Sequence, residues 1–78
     1  MNNQDQYRDS FISSLSISDQ NLENLEYNSV PEWDSIGHMT LIADLEEKFN
    51  ISFETDDIVD FSSFKKGIEI LKKYKVNI

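Results

Sequence analysis

The sequence predicts an all-α protein with three main helices and a short helix before the last of them. Apolar residues recur at intervals of three and four in three separate segments, which is the spacing of one helix face. Residues that cap or stop helices stand at the ends of these segments. The length of 78 residues allows one small domain, residues 1–78, and is too short for a large internal cavity.

The first predicted helix runs from about Gln4 to Leu15. Its apolar face consists of Tyr7, Phe11, Ile12 and Leu15. Residues 16–33 show no sustained period, yet a loop this long is unusual in a small domain. We therefore expect the loop to pack against the core through its apolar residues, which are Leu22, Leu25, Tyr27 and Val30.

The second predicted helix begins at Ser35, after Pro31 has stopped the preceding segment and with Asp34 as its N-cap. It ends at about Phe49, where Asn50 is a natural stop. One face carries the residues expected to point to the core, which are His38, Leu41, Ile42, Leu45 and Phe49.

A short helical turn is expected from Thr55 or Asp56 to Asp60, with Ile58 and Phe61 facing inward. The last helix follows a cap at Ser62 or Ser63 and runs to about Tyr74. Its predicted buried face is Phe64, Ile68 and Leu71, and three lysines stand at its C-terminal end, where the helix dipole favours cations.

Charge and composition restrict the function classes. The net charge is −8, with −12 on residues 1–64 and +4 on residues 65–78. Such a field repels nucleic acid and anionic membranes and favours basic protein partners. The chain has no cysteine, so any thiol must come from outside it. The first residues resemble no secretory signal and no segment is apolar enough to span a membrane, so we expect a cytoplasmic protein without membrane insertion.

The second helix has another apolar stripe, Ile36, Met39 and Ala43, roughly 120 to 150° from the core face. One interpretation is a docking surface for partner proteins, because exposed apolar patches beside charged residues often mark interaction sites. The other is that the stripe packs under residues 16–33. The docking hypothesis comprises Ile36, Met39, Ala43, Asp44, Glu46 and Glu47.

These residues form a recognisable motif. The run Trp33-Asp34-Ser35-Ile36-Gly37-His38-Met39, followed by Leu41-Ile42 and Leu45-Glu46-Glu47-Lys48-Phe49, resembles the phosphopantetheine-attachment region of acyl carrier proteins. The order of helix, long loop, serine-headed helix, short helix and final helix matches the family over essentially the whole chain. The resemblance implies a four-helix bundle of acyl-carrier type.

The resemblance also implies a function. Ser35 would carry a covalent 4'-phosphopantetheine arm, transferred from coenzyme A by a phosphopantetheinyl transferase that brings its own Mg²⁺. Asp34 would cap the helix beside the attachment site, and His38 is a candidate contact for the arm. The protein would be a monomeric carrier rather than an enzyme. It would hold acyl or aminoacyl groups as thioesters for loading and transfer enzymes.

At some positions the sequence differs from the carriers of fatty acid synthesis. Ile36 replaces the usual leucine, and Thr40 and Lys48 stand where those carriers are commonly acidic. Trp33 and His38 are also untypical of them, and they resemble the specialised stand-alone carriers instead. We therefore expect a small or polar cargo.

The motif residues also allow other interpretations. An unmodified helical interaction module would use the exposed stripe and leave Ser35 incidental. A hydrolase based on Ser35 and His38 lacks a nucleophile elbow and an evident oxyanion hole. The acids around Asp57 do not match a calcium loop and are expected to be solvated. Trp33 is either a lid over the loop or part of the docking surface.

Overall fold

A computed structural model describes residues 2–78 and contains four α-helices. They are α1 (Asn3–Leu15), α2 (Ser35–Phe49), α3 (Thr55–Asp60) and α4 (Phe64–Lys73). Within these described residues there is no strand, and Glu26 and Ser63 form an isolated antiparallel bridge. The predicted all-α class is therefore confirmed, and α1 begins one residue earlier than expected.

Side-chain caps and left-handed residues define the helix ends. Asn2 accepts a hydrogen bond from the Asp5 amide at the start of α1. Ser63, rather than Ser62, caps α4 by accepting from the Lys66 amide. Both α1 and α2 end at left-handed residues, Ser16 and Asn50, each with a φ of 54°. Because these conformations stop the helical hydrogen-bond ladder, the boundaries follow from local chemistry.

Aromatic side chains fill the centre of the core. Tyr7 and Phe11 of α1 meet edge to face with ring centroids 5.1 Å apart, and Phe11 meets Trp33 in the same way at 5.3 Å. Such edge-to-face pairs are favourable beyond the area they bury. Phe61 and Phe64 complete this fully buried aromatic group, so residues from α1, the long loop and the start of α4 share one core.

The long loop packs against the core through Leu22, Leu25 and Val30 as expected, whereas Tyr27 is 37% exposed. It contains one 3₁₀ turn, Leu22–Asn24, which the sequence pattern did not predict. The Leu25 carbonyl accepts from the Phe64 amide at 2.9 Å, and the Tyr27 amide donates to the Ser62 carbonyl at 2.9 Å. These bonds hold the loop against the start of α4.

Two expectations about burial are wrong. Trp33 has no exposed surface and belongs to the core, so it is neither a lid nor part of a docking surface. Asp57 is 6% exposed rather than solvated. In α4, Phe64 and Leu71 are buried as predicted and the partly buried Ile68 packs against the core, while Ile70, which was not predicted, is buried as well.

No helix among residues 2–78 is both long enough and apolar enough to cross a lipid bilayer.

Candidate functional site

Ser35 is the first residue of α2, and it is exposed. The Asp34 carboxylate before it accepts a hydrogen bond from the Gly37 amide at 2.8 Å. The Asp34 carbonyl accepts from the His38 amide at 2.8 Å. This N-cap fixes the direction in which the helix starts, so the Ser35 hydroxyl stands at the positive end of the helix dipole.

Gly37 lets the chain before Ser35 lie directly against α2. A Cβ atom at this position would overlap the backbone carbonyl oxygen of Glu32 and press on the Leu15 side chain. Backbone atoms cannot move aside as the end of a flexible side chain can. The glycine is therefore required by the close approach of residues 32–34 to the first turn of α2.

His38 uses both ring nitrogens inside the protein. The Trp33 indole nitrogen donates to Nδ1 at 3.0 Å, and Nε2 lies 2.8 Å from the Ile58 carbonyl oxygen. An indole N–H can only donate, so Nδ1 accepts and Nε2 carries the hydrogen that is donated to Ile58. With both nitrogens engaged, the hydrogen-bonding groups of His38 are committed to the fold.

An open cleft of about 260 Å³ lies beside this histidine. Its lining is largely apolar and consists of Tyr27, His38, Ile58, Val59, Phe61 and Ser62. The cleft borders the face of α2 that begins at Ser35, since His38 is one helical turn further along.

The second stripe of α2 is exposed. Ile36 is 77% exposed and Met39 is 53% exposed, and Ala43 is exposed as well. The interpretation that this stripe packs under residues 16–33 is therefore wrong. Val59 of α3 is a further exposed apolar residue, at 75%. Val59 stands between Asp57 and Asp60 and is out of phase with the inward-facing Ile58 and Phe61. This spacing was the sequence signal that Val59 is exposed.

The acidic residues of α2 differ in whether contacts within the protein hold their carboxylates. Asp44 forms an ion pair with Lys48 at 3.3 Å, and Lys48 also contacts Asp9 of α1 at 3.3 Å. The Glu46 carboxylate accepts from the Phe53 amide at 2.7 Å and so holds the segment after α2. Glu47 is exposed at the surface beside the stripe.

A second polar cluster joins α3 to the end of α4. The buried Asp57 carboxylate accepts from Lys73 at 2.6 Å and from the Tyr74 hydroxyl at 2.5 Å. These two bonds lower the pKa of Asp57. The bond to Asp57 raises the pKa of Lys73, and burial together with the same carboxylate raises the pKa of Tyr74. The cluster is thus a structural clasp.

The residues around Ser35 fit a phosphodiester. A capped helix start presents backbone amides and a positive dipole to an anion. The exposed hydroxyl leaves room for a group attached to its oxygen. Among the described residues, no group of histidine and acidic side chains is arranged to hold a metal ion.

No known protein-family model matches the chain, and no curated protein or solved structure matches it either.

Proposed function

We propose that the protein is an acyl carrier protein whose 4'-phosphopantetheine arm is attached to Ser35. The observation that carries this proposal is an exposed serine hydroxyl at the capped start of α2. It stands within the run Trp33 to Met39, which resembles the attachment motif of that family. The helix order and the short third helix agree with a bundle of acyl-carrier type.

Asp34 and Ser35 have different roles in such a site. Asp34 holds the first turn so that Ser35 presents its hydroxyl outward, and the helix dipole stabilises the phosphodiester charge. On modification, the Ser35 hydroxyl loses its proton to a base of the transferase and its oxygen bonds to the phosphorus next to pantetheine. The pyrophosphate bond of coenzyme A breaks, and the nucleotide part leaves as adenosine 3',5'-bisphosphate. When attached, the arm supplies the thiol that a chain without cysteine lacks.

The docking surface for partner enzymes is proposed to be Ile36, Met39 and Ala43 with Glu47. Asp44 and Glu46 are held in contacts within the protein, so they contribute less freely than the sequence pattern indicated. Partners would be a phosphopantetheinyl transferase and acyl- or aminoacyl-loading and transfer enzymes. The acidic field of residues 1–64 favours basic surfaces on these partners.

The cargo is proposed to be small or polar, and the carrier to be a cytoplasmic monomer. The support is the departure of Trp33, Thr40 and Lys48 from the residues common in fatty acid carriers. Mass spectrometry of the thioester fraction from the native host tests the cargo class, and recovery of mainly long saturated acyl chains would overturn it.

The experiment for the function itself is modification in vitro. The purified protein is incubated with coenzyme A, Mg²⁺ and a broad-specificity phosphopantetheinyl transferase, and intact mass is measured. One phosphopantetheinyl group should be added to the wild type and none to Ser35→Ala. Ser62→Ala is a matched control that should be modified normally. Absence of modification with several transferases would favour the unmodified interaction module, for which the exposed Ile36 and Met39 would serve.

A further inference from the structure

His38 connects two parts of the protein that are far apart in sequence. On one side it accepts from Trp33, two residues before Ser35, and on the other it donates to the Ile58 carbonyl of α3. The His38 and Trp33 rings also stack, with centroids 6.1 Å apart and planes inclined by 25°. A single side chain therefore contacts both the segment before Ser35 and α3.

The α3 side of this connection has few other polar anchors. The helix has six residues, which is too short for stability on its own. Glu54 precedes it without forming a side-chain cap. Among residues 2–78, the side-chain hydrogen bonds that reach α3 besides that of His38 are those of Asp57 with Lys73 and Tyr74. A change at that clasp is thus expected to change how firmly α3 is held.

The other side of the connection is rigid. Trp33 is fully buried, and its amide and carbonyl groups bond to the Val30 carbonyl and the Asn28 amide. Its indole N–H has His38 as hydrogen-bond acceptor. A buried donor that loses its acceptor is unfavourable, so the orientation of the His38 ring matters to Trp33.

We propose that His38 is a positioning residue that couples α3 to Trp33 and so to the segment that presents Ser35. When α3 moves outward, the Ile58 carbonyl leaves Nε2 and the ring is freer to turn. Nδ1 then no longer holds the Trp33 indole N–H in place. Because His38 and Ile58 also line the cleft, a group entering the cleft would be sensed at the start of α2.

This coupling is a property of the unmodified chain. Only its use, to report to Ser35 that cargo occupies the cleft, rests on the proposed function. A test on unmodified protein therefore fails or succeeds independently of whether Ser35 accepts an arm.

The experiment is a double-mutant cycle read by hydrogen exchange in nuclear magnetic resonance. Asp57→Asn loosens α3 at the clasp without touching His38, and it is introduced into the wild type and into His38→Leu. The readouts are the Trp33 indole N–H, the Val59 amide of α3 and the Phe11 amide, which reports global opening. Asp56→Asn is the matched control, because Asp56 is an exposed neighbour of Asp57.

In the wild type, Asp57→Asn should accelerate exchange of both Val59 and the Trp33 indole by more than it accelerates Phe11. In His38→Leu, Asp57→Asn should accelerate Val59 by more than Phe11, while the Trp33 indole should be accelerated no more than Phe11. Asp57→Asn should accelerate Trp33 indole exchange at least about twofold more in the wild type than in His38→Leu. This factor corresponds to the lower end of the coupling energies between residues of one hydrogen-bond network.

Conservative variants separate the two bonds of His38. His38→Asn places an oxygen near the position of Nδ1 but does not reach Ile58, whereas His38→Gln reaches Ile58 and lacks an acceptor at Nδ1. Each keeps one bond, so in neither should Asp57→Asn accelerate Trp33 exchange beyond Phe11. The coupling is overturned if Asp57→Asn accelerates Trp33 exchange equally with and without His38. It is also overturned if, in the wild type, Trp33 exchange does not change while Val59 responds, or if it accelerates only as much as Phe11.

Discussion

Tyr74 donates its hydroxyl to the Asp57 carboxylate across 2.5 Å and at the same time accepts from the Glu54 amide at 2.8 Å. The end of α4 is thereby joined both to α3 and to the residue before it. Lys73 provides the positive charge for the same carboxylate. This clasp makes the stability of the protein depend on pH in a way that can be measured.

The first prediction concerns Asp57→Asn. The pKa of Asp57 is lowered in the folded protein, so its contribution is complete above the ordinary carboxyl value of about 4 and is lost as pH falls through the lowered pKa. The pKa values of Lys73 and Tyr74 are raised, so their contribution is complete below about pH 10 and is lost above it. The variant should therefore be less stable than the wild type between about pH 5 and 9, with a difference that shrinks outside this range.

Urea denaturation followed by circular dichroism from pH 2.5 to 11 measures this difference. Asp56→Asn, which changes an exposed neighbour, should show no comparable pH-dependent gap. If the difference in the free energy of unfolding between the wild type and Asp57→Asn stayed constant from pH 2.5 to 11, the clasp would not depend on the charges of its members.

The second prediction concerns Tyr7, whose buried hydroxyl donates to the Phe64 carbonyl at 2.6 Å. Tyr7→Phe should lower the free energy of unfolding by about 1 kcal/mol at neutral pH, as expected for one buried hydrogen bond. Burial raises the pKa of Tyr7 well above its ordinary value, so the wild type loses stability as pH rises above about 10 and the variant lacks that loss. The gap in the free energy of unfolding should narrow there. Tyr27→Phe, at a partly exposed tyrosine, is the control and should change stability little.

The third prediction concerns the close approach at Gly37. Gly37→Ala should lower the free energy of unfolding by about 1 to 3 kcal/mol, because the added methyl group meets the Glu32 backbone. The exposed position Thr40 on the same helix supplies the control, and Thr40→Ala should stay within about 0.5 kcal/mol of the wild type. Thermal and urea denaturation decide between these outcomes. Equal stability of Gly37→Ala and the wild type would show that residues 32–34 do not pack against α2 as described.

The fourth prediction concerns docking and rests on the proposed function. Glu47→Lys should raise the KM for arm transfer to Ser35 by up to about fivefold at low salt, since exposed charge pairs contribute up to about 1 kcal/mol. The effect should decrease as salt screens the charges. Met39→Ala should raise KM with less salt dependence, because it removes apolar contact area. Both variants should keep wild-type stability, as both side chains are exposed.

Glu46→Ala is the comparison for this prediction. Its main effect should be on stability, a loss of about 1 to 2 kcal/mol, because the Glu46 carboxylate accepts from the Phe53 amide. If Met39→Ala destabilised the protein and Glu46→Ala changed only KM, the assignment of Met39 to the docking surface and of Glu46 to the fold would be wrong.

The helices and their ends were determined by the sequence itself. Asp34 as the cap of α2 and Asn50 as its stop were predicted from residue type alone, because caps depend on atoms within one helical turn. The exposed position of Ser35 follows from the same local geometry. Apolar spacing likewise predicted that Phe11 and Leu45 are buried.

Burial of residues outside a regular pattern was decided only by the tertiary structure. Trp33 lies in a loop without a period, and its complete burial depends on Phe11 and His38 arriving opposite it from two different helices. Asp57 looked like a solvated acid because Lys73 and Tyr74, which satisfy it, are 16 and 17 residues away. The exposure of Ile36 and Met39 could not be read from helical spacing either, since spacing places a residue on a face of its helix while the packing of the other segments determines whether that face is covered.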